Sequence, residues 1–175
     1  MLKVKNGDLD KLGLLYERHK KRLFGFFYNL GNNPSISEDL VQNVFMRVLK
    51  YRKSYSGEGS FAAWLFSMAR NVHYDHHKRS AKESISHGVS ADDIKGETED
   101  HLNEEYHNEG NKALLKHALS LLPHEKREVL ILSKYREMKF SEIAKVIGCS
   151  EGAAKVRVHR ALKDLRIIFS QLEIA

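Results

Sequence analysis

The sequence predicts an all-α protein: two small helical domains joined by a flexible acidic linker, with a helix-turn-helix in the second domain. Three observations point there. Apolar residues recur at steps of three and four through residues 9–79 and again through 113–169, and the alternation of a half-buried strand is absent. Charge is unevenly placed: residues 80–110 hold nine acids and two bases, a net −7, whereas the rest of the chain holds 27 bases and 14 acids. That acidic stretch also has few large apolar side chains, too few to fold alone. The expected boundaries are therefore 1–79, 80–110 and 111–175.

Composition bounds the function as well. A formal charge of +6 over 175 residues points to an anionic partner. A single cysteine, Cys149, excludes an intrachain disulfide and a cysteine-rich zinc module. It stands in a turn where a small apolar side chain is normally buried. No apolar run approaches a membrane span and the chain opens without a hydrophobic signal core, so a cytoplasmic protein with no membrane insertion is expected.

The first helix is expected over Leu9 to Leu30, with Leu12, Leu15, Leu23, Phe26 and Phe27 on one stripe, ending at Gly31-Asn32-Asn33-Pro34. The second has two committed faces. Leu40, Val41, Val44, Phe45, Val48 and Leu49 make a core stripe. Asp39, Gln42, Asn43 and Met46 share another strip, and a carboxylate, two amides and a thioether there read as a docking surface rather than a plain solvated face. Ser35 or Ser37 is the expected cap, with Glu38 and Asp39 in the first turn. Tyr51 to Ser60 is polar, contains Gly57 and Gly59, and reads as a loop. A third helix runs from Phe61 through His77, aromatic at its start and basic at its end, a pairing suited to unstacked bases. His73, His76 and His77 have metal-ligand spacing but no evident fourth ligand, so no metal is expected.

In the second domain, Phe140 to Arg160 fits a helix-turn-helix. Ile143, Ala144 and Ile147 face inward on its first helix, Gly148-Cys149-Ser150 makes the turn, and Ala154, Val158, Ala161 and Leu165 face inward on its second. Gly148 suits a positive backbone dihedral and Ser150 can cap the second helix. Gly152, Ala153, Val156, His159, Arg160 and Lys163 then point outward, flanked by Lys155 and Arg157. This face offers bases to phosphates and small residues to base edges, and an arginine held bidentate on guanine gives about 1–3 kcal/mol of discrimination.

Taken together these motifs resemble the bacterial sigma factors of the extracytoplasmic-function (ECF) type. Asp39-Leu40-Val41-Gln42-Asn43-Val44-Phe45 is similar to the family's core-polymerase-binding motif, and Trp64-Leu65 with Ala69-Arg70-Asn71 and Asp75 to its minus-ten recognition helix. Leu122-Pro123, Arg127-Glu128-Val129, Glu142-Ile143-Ala144, Ser150-Glu151-Gly152 and His159-Arg160-Ala161 resemble its minus-thirty-five domain. The order of both bodies and the variable linker match.

The resemblance implies a transcription initiation factor that binds core RNA polymerase through its clamp and flap regions, directs it to promoters, assists melting and catalyses nothing itself. It implies no cofactor. Asp39, Gln42, Asn43 and Met46 are implied to meet the clamp. Ser54 and Tyr55 of the loop, with Phe61, Arg70, Asn71, Lys78 and Arg79, are implied to meet the minus-ten element, including a flipped base of the single-stranded non-template strand. Flipping costs a few kcal/mol, offset by stacking and edge hydrogen bonds, and an Asn amide both donates and accepts. Ser150, Gly152, Ala153, Lys155, Val156, Arg157 and Arg160 are implied to meet the minus-thirty-five element. An anti-sigma protein is a further implied partner, and the acidic linker would thread a positively charged channel of the polymerase.

Three departures stand out. Asn43 takes a place the family usually gives to Glu, Ala153 one where Thr is common, and Leu65 stands instead of a second Trp. Melting is then expected to lean on the loop and Asn71, with little tolerance of promoter variation. Two other classes compete. A conventional helix-turn-helix regulator with a sensing or dimerising first domain would bind duplex tightly without polymerase. A metal nuclease built on the His73 to His77 cluster would lack the paired carboxylates that hydrolysis usually wants.

Overall fold

The computed structural model describes residues 1–86, 109–135 and 138–174. Its helices are α1 (Leu2–Lys5), α2 (Asp10–Asn29), α3 (Pro34–Lys50), α4 (Phe61–Ser86), α5 (Glu109–Ser120), α6 (His124–Leu130, continued by a π-helical turn Ile131–Tyr135), α7 (Phe140–Ile147) and α8 (Glu151–Ile174). No strand occurs among the described residues. They divide into two units, one built on α1 to α4 and one on α5 to α8. Of the expected linker 80–110, residues 87–108 lie outside the described residues. Its first residues are helical, because α4 continues past Arg79 to Ser86.

Two local choices differ from expectation for physical reasons. α3 starts at Pro34, whose fixed φ and missing N–H suit the first helical position, so the cap falls on Asn33 and not on a serine. Asn33 Oδ1 accepts the Ile36 N–H at 2.8 Å, while Ser37 is buried and donates its hydroxyl to the Asn33 carbonyl at 2.8 Å. Glu38 and Asp39 accordingly fall beyond the first turn. The short helix α1 and the 3₁₀ turn Arg52–Ser54 were not expected either.

The first unit is held by an aromatic and aliphatic core. Leu23, Phe26 and Phe27 of α2, Leu40, Val44 and Val48 of α3 and Leu65, Phe66 and Ala69 of α4 are all buried. Phe26 sets its edge against Phe66 at 5.4 Å, and Tyr16 sets its edge against Phe45 at 5.0 Å. A fully buried phenylalanine contributes about 3 kcal/mol by area removed from water. α3 and α4 are also joined outside the core, where Arg47 Nη2 donates to Asp75 Oδ2 at 2.7 Å.

In the second unit α8 is the spine on which α5, α6 and α7 pack. Leu119, Leu122, Val129, Leu130, Ile131 and Leu132 are buried, as are Ile143, Ala144, Val146 and Ile147 of α7 and Ala154, Val158 and Ala161 of α8. Lys126 Nζ donates to Asp164 Oδ2 at 2.6 Å and ties α6 to α8.

Candidate functional site

The outward strip of α3 stands as the periodicity implies. Leu40, Val41, Val44, Phe45 and Val48 are buried, and that commitment turns Asp39, Gln42, Asn43 and Met46 to the opposite side, where all four are exposed. Met46 is 66 % exposed, a large apolar side chain with no core role. Thioether, amides and carboxylate thus lie along one helical strip, a pattern suited to a partner rather than to water alone.

The loop after α3 and the start of α4 form one aromatic assembly. Tyr55 sets its edge against Phe61 at 5.8 Å and Trp64 at 5.2 Å, and His19 of α2 sets its edge against Phe61 at 5.3 Å. Tyr55 is 6 % exposed. The ring is turned into the domain, because packing on Phe61 and Trp64 removes more apolar surface from water than standing free in a polar loop. Phe61 is half-buried in the same assembly, whereas Ser54 is exposed. Burial, aided by Arg22 and Arg18, holds the His19 imidazole below its ordinary pKa, and its Nδ1 has no hydrogen-bond partner.

Along α4, Leu65, Phe66, Ala69, Val72 and His73 face inward. Asn71, Lys78 and Arg79 are exposed on the other side. Arg70 is half-buried, its guanidinium 4.8 Å from the centre of the Tyr74 ring, a cation–π contact that orients it. Asp75, part of the resembling motif, holds Arg47 as described above. His73 is fully buried, with its Nδ1 3.4 Å from the Asn32 amide nitrogen, which also donates to the Phe27 carbonyl at 2.7 Å. It is a core histidine, and no cluster of metal-ligating side chains occurs among the described residues.

The helix-turn-helix forms as expected. Gly148 ends α7 with φ +70° and ψ 49°, a conformation that a Cβ would strain. The Cys149 N–H bonds the Ala144 carbonyl at 3.0 Å, and Cys149 itself is half-exposed rather than buried. Ser150 Oγ accepts the Ala153 N–H at 3.2 Å and so caps α8. Gly152, Lys155, Val156, Arg157, His159 and Arg160 are exposed, and Ala153 is half-buried. Val156 is 47 % exposed between the basic side chains, the apolar element that suits a thymine methyl. Leu165, expected in the core, is only half-buried.

Residues 15–83 match the family model for Sigma-70 region 2, and residues 112–165 match that for Sigma-70, region 4. The chain is 30% identical over 179 aligned positions to RNA polymerase sigma factor CarQ of Myxococcus xanthus, covering 99% of this chain and 98% of CarQ. It is also 30% identical over 161 positions to the ECF RNA polymerase sigma factor SigL of Mycobacterium tuberculosis, covering 91% and 89%. The chain belongs to the ECF sigma factors. It is therefore a transcription initiation factor.

The two family matches fall one on each helical unit of this sigma factor, and the reading as a conventional regulator is not favoured. Solved structures agree. The sigma factor RpoE of Bartonella quintana, crystallised with the anti-sigma factor NepR, is 26% identical, with a TM-score of 0.70 over 93% of this chain and 97% of that one. CnrH, solved in complex with the cytosolic domain of CnrY, shares the fold at a TM-score of 0.72 and 22% identity over 97% of this chain and 94% of that one. Among the described residues no helix is long and apolar enough to cross a membrane.

Three contacts of this sigma factor escaped the sequence reading: the Arg47–Asp75 pair, the seating of Arg70 on Tyr74, and the aromatic assembly around Phe61. The second had a signal, since residues 70 and 74 are one helical turn apart. The Arg47–Asp75 pair and the seating of His19 on Phe61 join residues far apart in sequence and carry none.

Proposed function

We propose that residues 1–79 bind core RNA polymerase and the minus-ten element, that 111–175 bind the minus-thirty-five element, and that 80–110 is the strap between them. The observation that carries the polymerase contact is the exposed strip Asp39, Gln42, Asn43 and Met46 on a helix whose other face is fully committed to the core. In this reading the strip docks on the polymerase clamp. Met46 supplies buried apolar area, Gln42 and Asn43 directional hydrogen bonds, and Asp39 the charge. Asn43, neutral where a glutamate is usual, asks for an amide-matching partner and makes the contact less sensitive to salt.

The minus-ten element meets the loop and the outer face of α4. Ser54 and Asn71 offer hydrogen bonds to an extruded base, Lys78 and Arg79 meet phosphates, and Arg70 is pre-oriented by Tyr74. Tyr55 and Phe61 support this surface from beneath. At the upstream element, α8 enters the major groove: Lys155, Arg157 and Arg160 reach phosphate or guanine, and Ser150, Gly152, Ala153 and Val156 approach the backbone and base edges. The region-4 domain also meets the polymerase flap. Because its partner is the transcription machinery, the protein works in the cytoplasm. An anti-sigma protein covers these surfaces when transcription is not required, a reading supported by the RpoE–NepR likeness.

Gln42→Lys combined with Met46→Lys tests the polymerase contact. Both positions are exposed, so helical content should stay unchanged while co-elution with core polymerase is lost. Retained binding would remove this face from the account.

A further inference from the structure

The loop that meets the promoter in the preceding reading is held from an unexpected side. A helix of four residues cannot persist alone, since nucleation costs more than so few hydrogen bonds return. α1 exists because it is seated against the loop. Val4 is fully buried. Lys5 Nζ donates to the Tyr55 carbonyl at 2.7 Å across 50 residues of sequence, in a part-buried position. A Cβ on Gly57, whose φ is +88°, would lie 2.9 Å from Leu2 Cδ2.

Loop hydrogen bonds are otherwise short in range. Ser54 Oγ donates to the Tyr51 carbonyl at 2.8 Å, and Ser56 Oγ accepts the Glu58 N–H at 3.1 Å. Such bonds shape a turn but do not fix where it stands on its domain. Tyr55 is fixed at both ends of the residue: its ring by Phe61 and Trp64, its carbonyl by the Lys5 ammonium. The exposed side chains on either side of it, Ser54 and Ser56, take their placement from that anchor. The region 2 family match begins only at residue 15, so α1 lies outside the matched region.

We propose that α1 is the positioning element of the promoter-reading loop: Lys5, through the Tyr55 carbonyl, and Leu2, against Gly57, hold residues 54–58 in the geometry that discriminates the extruded base. Lys5 is a positioning residue and touches no base. The proposal rests on the loop's assignment to the minus-ten element, and the experiment separates the two.

Lys5→Met removes the donor and keeps much of the stem, Lys5→Arg keeps a donor, and Leu2→Ala removes the contact under Gly57. Each full-length variant is compared with the parent in amide exchange over residues 54–58. Each is also compared in core-polymerase affinity and in the ratio of initiation from a promoter with its own base against one with that base substituted. Losing one charge-assisted hydrogen bond in a part-buried position should speed loop exchange about tenfold. In Lys5→Met the discrimination ratio should fall by a similar factor with core affinity unchanged, Lys5→Arg should restore both, and Leu2→Ala should speed exchange around Gly57. Unchanged exchange in both Lys5→Met and Leu2→Ala would show that α1 does not hold the loop. Faster exchange with unchanged discrimination would show a held loop that does not read the promoter, overturning the proposal through the assignment beneath it.

Discussion

Replacing Arg157 and Arg160 together by alanine isolates what the exposed face of α8 does. Both side chains are exposed, and neither takes part in an ion pair among the described residues, so both are available to phosphate. Lys155 and Lys163 share the exposed surface of the helix. If all four meet phosphate, the helix contributes about −3.6 to the slope of log affinity against log salt, at about 0.9 per contact. Between about 50 and about 200 mM salt that alone weakens binding roughly 150-fold. With two contacts gone the contribution falls to about −1.8 and the weakening to roughly twelvefold. The assay is binding of labelled upstream duplex by parent and variant holoenzymes across a salt series, because the polymerase's own contribution cancels in the difference. Circular dichroism should show unchanged helix, since alanine is favoured at exposed helical positions. Equal slopes would refute the phosphate assignment, and weaker binding at an equal slope would move these arginines to base edges.

Three further outcomes follow from the packing. Asp75→Ala breaks a half-exposed pair and should cost only about 0.2–1 kcal/mol in urea denaturation followed by the fluorescence of Trp64, the single tryptophan, whereas a loss above about 2 kcal/mol would mean the pair is a structural keystone. His19 is held below its ordinary 6.5 by burial first and Arg22 next, so the unfolded chain takes up a proton before the folded one does. Stability should fall as pH drops from about 7 to about 5, and His19→Phe should remove part of that slope, His77 leaving a remainder of the same sign; a parent with flat stability over this range would contradict the burial. Ser150→Ala deletes the α8 cap, worth about 1 kcal/mol, and should lower the melting of the second unit by about 4–8 °C, while an unchanged midpoint would mean water replaces the hydroxyl.

The features readable in the sequence were those whose cause is local. The two faces of α3 follow from helical periodicity over a dozen residues, and the turn between α7 and α8 follows from a glycine that must take a positive φ next to a serine that can cap. Features set by distant partners were not readable. α1 has too few residues for any period and owes its existence to a loop fifty positions away. Tyr55 stands in a stretch that reads only as a polar loop, and its packing on Phe61 and Trp64 depends on how that loop turns back onto α4. The continuation of α4 to Ser86 lacks an apolar stripe, but extending an existing helix needs no new nucleus. At Asn33 the competition among possible caps is decided by Pro34, which takes the first helical position and leaves the cap to the residue before it.

Co-elution of the purified protein with core RNA polymerase on a sizing column, followed by transcription from a pool of genomic fragments, tests the central claim most directly. A stable complex that initiates from discrete sites, with the protein alone binding duplex weakly, is the predicted result. Absence of a complex, together with tight specific duplex binding by the protein alone, would contradict it.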